Sequence, residues 1–92
     1  MLKNNKEQVV TVNVDGGYKP NKLKLKKGVP TTINFNRKDP SGCLSEVLIP
    51  DFDVKEELPL NETVSVDITP EAAGEYEFTC GMQMFRGKIV VK

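Results

Sequence analysis

Proline punctuation constrains this chain more than any other feature. Six prolines, at 20, 30, 40, 50, 59 and 70, three of them directly beside asparagine or aspartate, cut the sequence into short runs. Within those runs apolar and polar residues alternate, which is the period of a strand with one face buried and one face wet. The alternating sets are Val10, Val12 and Val14; Leu23 and Leu25; Ile33 and Phe35; Val64, Val66 and Ile68; Tyr76, Phe78 and Cys80; and Ile89 and Val91. "EVLIP" at 46–50 adds a shorter strand, while "DGG" at 15–17, "KGVP" at 27–30, "DPSG" at 39–42 and "PLN" at 59–61 read as turns. No long amphipathic helix, repeat or linker interrupts the pattern. About seven to eight such strands can cover their apolar faces only by stacking two sheets or closing a barrel, so the expected fold is all-β, a small β-sandwich.

The 92 residues make one domain spanning 1–92, with 1–6 expected as a flexible tail. A chain of this size buries about 60 % of its unfolded surface and folds without needing a metal or a disulfide. Thirteen basic and thirteen acidic side chains cancel, which argues against nucleic acid or an anionic membrane as the main partner. No apolar run approaches the roughly 18 residues of a membrane span, and "MLKNNKEQ" lacks the apolar stretch of a signal peptide, so a soluble monomer is expected.

Histidine is absent, and that removes whole mechanisms. There can be no Ser-His-Asp or Cys-His pair, no His-containing zinc site, and no blue-copper centre of two imidazoles and a thiolate. Two cysteines cannot supply a four-thiolate zinc site, and no glycine-rich phosphate cradle is present. No enzyme is expected.

Sulfur is distributed unevenly. The chain has two cysteines and three methionines, and "TCGMQMFRG" at 79–87 holds Cys80, Met82 and Met84. A core that uses methionine as gap filler has no reason to cluster it. Cys80 continues the inward alternation of Tyr76 and Phe78, and in extended chain Met82 and Met84 fall on the same side as its thiol. Gly81 and Gly87 would let the backbone bend around whatever those sulfurs hold. Cys43 follows the turn "RKDPSG", 37 positions before Cys80, in a loop that can reach the same end of a sandwich. Two thiolates and two thioethers form a soft ligand set that selects Cu(I) over harder ions and also suits Ag(I). Such a site favours transport or buffering over redox catalysis. Arg37, Lys38 and Arg86 lie close in sequence to the cysteines and are candidates to favour the thiolates.

Two other readings of the same residues stay open. A Cys43–Cys80 disulfide would stabilise the fold by about 3 to 4 kcal/mol in an oxidising compartment. It leaves Met82 and Met84 unexplained. Alternatively, the methionines pack as core or form a surface for a partner in a structural or interaction module. The lysines of "NKLKLKKG" read as the wet face of an exposed or edge strand, the acidic group Asp51, Asp53, Glu56 and Glu57 as a solvated loop, and the asparagine of "NET" at 61–63 as a turn residue.

"GYKPNKLKLKKGVP", "FNRKDPSGC", "LP" and "GEYEFTCGMQMFRGKIVV", in that order, give the chain a resemblance to the cupredoxin superfamily over nearly everything from Gly17 onward. It most resembles the Cu(I)-binding cupredoxin-like domains of bacterial copper resistance, including the CupA-type chaperone and the N-terminal domain of some copper-exporting P-type ATPases. A cysteine followed by methionines at alternate positions is the most specific element. The resemblance implies a Greek-key sandwich holding two Cu(I) ions close together, with Cys43 and Cys80 as the thiolates of the tighter site and Met82 and Met84 serving the weaker one. It implies delivery to the efflux ATPase from the cytoplasmic side, with any membrane anchor in an N-terminal segment beyond these residues. The chain departs from blue-copper members, whose last loop carries a histidine between cysteine and methionine.

Overall fold

The computed structural model describes residues 7–82 and 84–92, including the backbone but not the side chain of Cys43. The expected tail, residues 1–6, lies outside the described residues, as does Gln83. Among the described residues nine strands form two sheets. The first sheet contains β1 (Gln8–Val14), β2 (Tyr18–Lys19), β4 (Thr31–Arg37) and β7 (Thr63–Ile68), in the order β2-β1-β4-β7. The second contains β3 (Lys22–Leu25), β5 (Glu46–Ile49), β6 (Val54–Glu57), β8 (Gly74–Cys80) and β9 (Arg86–Val91), in the order β3-β9-β8-β5-β6. The pairs β1/β4 and β3/β9 are parallel, and the others are antiparallel.

The alternation carries through to the packing. Val12, Val14, Leu23, Leu25, Ile33, Phe35, Val66, Ile68, Phe78, Cys80, Ile89 and Val91 are buried between the sheets, and Val10, Val64 and Tyr76 pack half-buried at its margin. Tyr18, Phe35 and Phe78 meet at the centre with ring centroids 4.8 to 6.5 Å apart, in the tilted and edge-to-face arrangements that aromatic quadrupoles favour. Leu44, Val47, Ile49 and Leu58 complete the core.

Two of the nine strands lie outside the alternating sets and the shorter strand read from the sequence. β2 is two residues long, and β6, "VKEE", has no buried position, so neither carries the alternation by which a strand is recognised. Glu56 and Glu57 therefore sit on an edge strand, whereas Asp51 and Asp53 do lie in a turn. The lysines behave as expected, because β3 forms the other edge of its sheet with Lys22 and Lys24 exposed. Asn61 takes a left-handed conformation (φ 64°) in the turn after Pro59, which asparagine tolerates better than most residues. Among the described residues no helix is long and apolar enough to cross a membrane.

The topology brings the β1–β2, β4–β5 and β8–β9 connections to one end of the sandwich. β8 runs into β9 through residues 81–85. Antiparallel pairing of β5 with β8 sets Val47 opposite Cys80, so the 3₁₀ turn Gly42–Ser45, which precedes β5, projects beyond the end of β8. The parallel strands β1 and β4 finish level, with Val14 opposite Arg37. The turn at 15–17 therefore lies beside the loop that leaves β4 and beside Phe85, whose Cδ1 is 3.7 Å from where a Gly17 Cβ would sit.

Candidate metal centre

Cys80 ends β8 with no solvent exposure. The chain then turns back at once, and the Cys80 N–H donates to the Phe85 carbonyl (3.1 Å), closing residues 80–85 into a short loop. The loop folds around the sulfur, with the backbone N–H groups of Met84 and Phe85 donating to Cys80 Sγ at 3.2 and 3.4 Å. Two amide dipoles aimed at one sulfur suit negative charge there and fix the side chain's orientation, which is the part an outer shell plays around a metal-binding thiolate.

This geometry corrects two sequence expectations. Gly81, Met82, Met84 and Phe85 are turn and bend rather than extended chain, so the period-two argument does not place the methionines. Met82 and Met84 are both 68 % exposed, above a sulfur that is fully buried. Nor do Gly81 and Gly87 serve as bending points, since neither has positive φ. A Cβ on Gly87 would overlap the ring of Phe78, and one on Gly81 would come 2.5 Å from Glu46 Oε1. Gly87 is there for close approach to that ring, whereas the Glu46 carboxylate beside Gly81 ends a flexible side chain.

The basic residues near the cysteines have partners of their own or stand in solvent. The Arg37 guanidinium is buried and bonded to the carbonyls of Asp39, Ser41 and Leu58. Arg86 stands 3.9 Å from Glu77 on the exposed outer face, where a single ion pair adds little, and Lys38 is exposed. Backbone amides reach the Cys80 sulfur directly.

Cys43 lies in the turn Gly42–Ser45, held by Leu44 N–H to the Ser41 carbonyl (3.1 Å) and by the Ser45 hydroxyl to the Gly42 carbonyl (2.7 Å). Its side chain lies outside the described residues, and with it the disulfide reading. The fold thus gathers the backbone of Cys43, the buried sulfur of Cys80 and the exposed Met82 and Met84 at one end. Sequence reasoning passed over Asp39, whose carboxylate accepts N–H bonds from Gly16 (2.7 Å) and Ser41 (2.8 Å), and Glu46, which covers Gly81. The inward series Thr31, Ile33, Phe35 and Arg37 was a readable sign that Arg37 points inward.

Against known proteins, a family model for the cupredoxin-like domain matches residues 2–91. The chain belongs to that family. This cupredoxin-like domain is similar, at 49 % identity over 99 % of its length and 93 % of the other chain, to a copper binding protein whose apo form was solved by NMR (TM-score 0.91). It is also similar to the metal binding domain of the Cu(I) exporting P-type ATPase CopA of Streptococcus pneumoniae D39, solved with Cu(I), at 33 % identity over 99 % and 91 % of the chains (TM-score 0.94). Auracyanin A of Chloroflexus aurantiacus, a "blue" copper protein, shares the fold at 21 % identity over 94 % and 99 % of the chains (TM-score 0.73). None of the curated proteins matches this domain.

Proposed function

We propose that this domain carries Cu(I) at Cys43, Cys80, Met82 and Met84, holds two ions, and passes copper to a copper-exporting P-type ATPase. The observation that carries the reading is the Cys80 sulfur, buried and held by two backbone N–H groups beneath a loop that exposes two thioethers. The likeness to a copper binding protein and to a Cu(I)-bound ATPase domain supports it.

The ligand chemistry favours carriage over catalysis. Thiolate and thioether select Cu(I), and without imidazole the site has little to offer Cu(II), so cycling between the two states is disfavoured. A buried thiolate retains the ion while exposed, neutral and weaker thioethers let an acceptor's sulfur enter by ligand exchange. The two kinds of sulfur separate holding from handing over. Because the core is built without the metal, Cu(I) adds stability to an already folded protein, by about 4 kcal/mol at a free concentration near 1,000 times Kd.

The match to an ATPase metal binding domain favours a second placement of the same chemistry, in which this domain is the N-terminal segment of the transporter itself. Both placements are cytoplasmic in this reading. An anaerobic titration of the reduced protein with Cu(I) against a colorimetric competitor tests the common core. Two equivalents, with the tighter gravely weakened in Cys80→Ser, are expected; failure to compete for even one equivalent would overturn the proposal. Ag(I) should fill the same site.

A further inference from the structure

Arg37 is the last residue of β4 and continues its inward face, where its guanidinium meets main-chain carbonyls. Its guanidinium donates from Nε to the Asp39 carbonyl (2.9 Å), from Nη1 to the Leu58 carbonyl (2.8 Å) and from Nη2 to the Ser41 carbonyl (2.9 Å). Ser41 is the pivotal acceptor, because the same carbonyl takes the Leu44 N–H that closes the turn bearing Cys43. Its own N–H is held by the Asp39 carboxylate, which also takes the Gly16 N–H. On the far side, Leu58 N–H donates to the Ser45 carbonyl (2.7 Å), and Asn61 N–H to the Arg37 carbonyl (2.8 Å).

A buried cation is costly to desolvate, and the three carbonyl acceptors on its fork are what make it tolerable. An apolar residue would fill the space more cheaply. What the guanidinium adds is direction, since its rigid fork fixes three carbonyls from two segments at once, which a lysine's point charge cannot do. We propose that Arg37, seconded by Asp39, is the positioning residue that sets the Cys43 turn for Cu(I) before any ion arrives. This rests on the Cu(I) reading above and assigns the brace that prepares one of its two thiolates. Cys80 needs no such brace, because its own loop donates to its sulfur.

The test compares wild type, Arg37→Lys, Asp39→Ala and, as a control matched for stability, Val66→Ala at the half of the sandwich away from the turn. Two readouts are taken: amide hydrogen exchange of the metal-free proteins, and Cu(I) affinity by anaerobic competition with the thiolate-to-copper ultraviolet absorption recorded at each equivalent. The expected result is faster exchange confined to residues 38–45 and 58–61 in Arg37→Lys and Asp39→Ala, with the tight equivalent weakened about tenfold or more, as loss of an outer-shell partner typically does. Val66→Ala should lower the melting temperature and leave affinity unchanged. Unaltered exchange at 38–45, or altered exchange with wild-type affinity, overturns the proposal. Should Arg37→Lys not fold, Asp39→Ala decides alone by the same two readouts. Wild type that binds no Cu(I) would instead fail the functional reading, and the exchange data would still report whether the brace exists.

Discussion

The two cysteine segments meet at one end of the sandwich but are held there by opposite means. The Cys80 arm organises itself: a strand pair delivers the residue, the sulfur accepts two N–H bonds from the loop that follows, and Gly87 lets the Phe78 ring seal the space beneath. The Cys43 arm is a short turn held from outside, by the Arg37 fork and the Asp39 carboxylate. One arm depends on packing and on its own sulfur, the other on a polar brace. In the proposed Cu(I) site one ligand is fixed by the core and the second is tuned through a few hydrogen bonds.

The largest test of this contrast is Gly87→Val. Its side chain would occupy the volume of the Phe78 ring, and overpacking a sealed core should cost about 3 kcal/mol, read as a fall in thermal midpoint. A loss under about 1 kcal/mol would mean that the ring can swing away and that packing does not hold the Cys80 arm. Cys80→Ala should come next, at about 1 to 2 kcal/mol without metal, because it strips two amide donors of their acceptor. If denaturant unfolding showed Cys80→Ala and Cys80→Ser to be as stable as wild type, the sulfur would not be organising its loop. Smallest is Met84→Leu, which at an exposed position should change stability by less than about 0.5 kcal/mol while weakening the second Cu(I) equivalent more than the first. Equal loss of both equivalents would end the division between retaining and releasing sulfurs.

Much of this was legible in the chain, and the misses have physical reasons. Strand alternation exposed the core because each sheet has one wet face, so Ile33 and Phe35 or Ile89 and Val91 announce themselves. It missed Leu44 and Leu58, which are buried from turns where no period applies, and β2 and β6, which are too short or too charged to show one. At the site, the residue types were readable but the path of the chain was not. Met82 and Met84 look like continuing strand, and what turns Met84 and Phe85 back is a sulfur accepting their main-chain N–H groups, an interaction that propensity does not encode. The part of Arg37 that was not legible is its grip on the Leu58 and Ser41 carbonyls, because proximity in sequence to Cys43 suggests a charge effect and says nothing of main-chain contacts.

The central claim is that sulfur from both arms holds copper together, and X-ray absorption at the copper edge of protein loaded with two equivalents of Cu(I) addresses it most directly. The account predicts a first shell of sulfur alone, with copper–copper scattering that disappears in Cys80→Ser. A first shell dominated by nitrogen or oxygen, or a spectrum indifferent to Cys80, would contradict it.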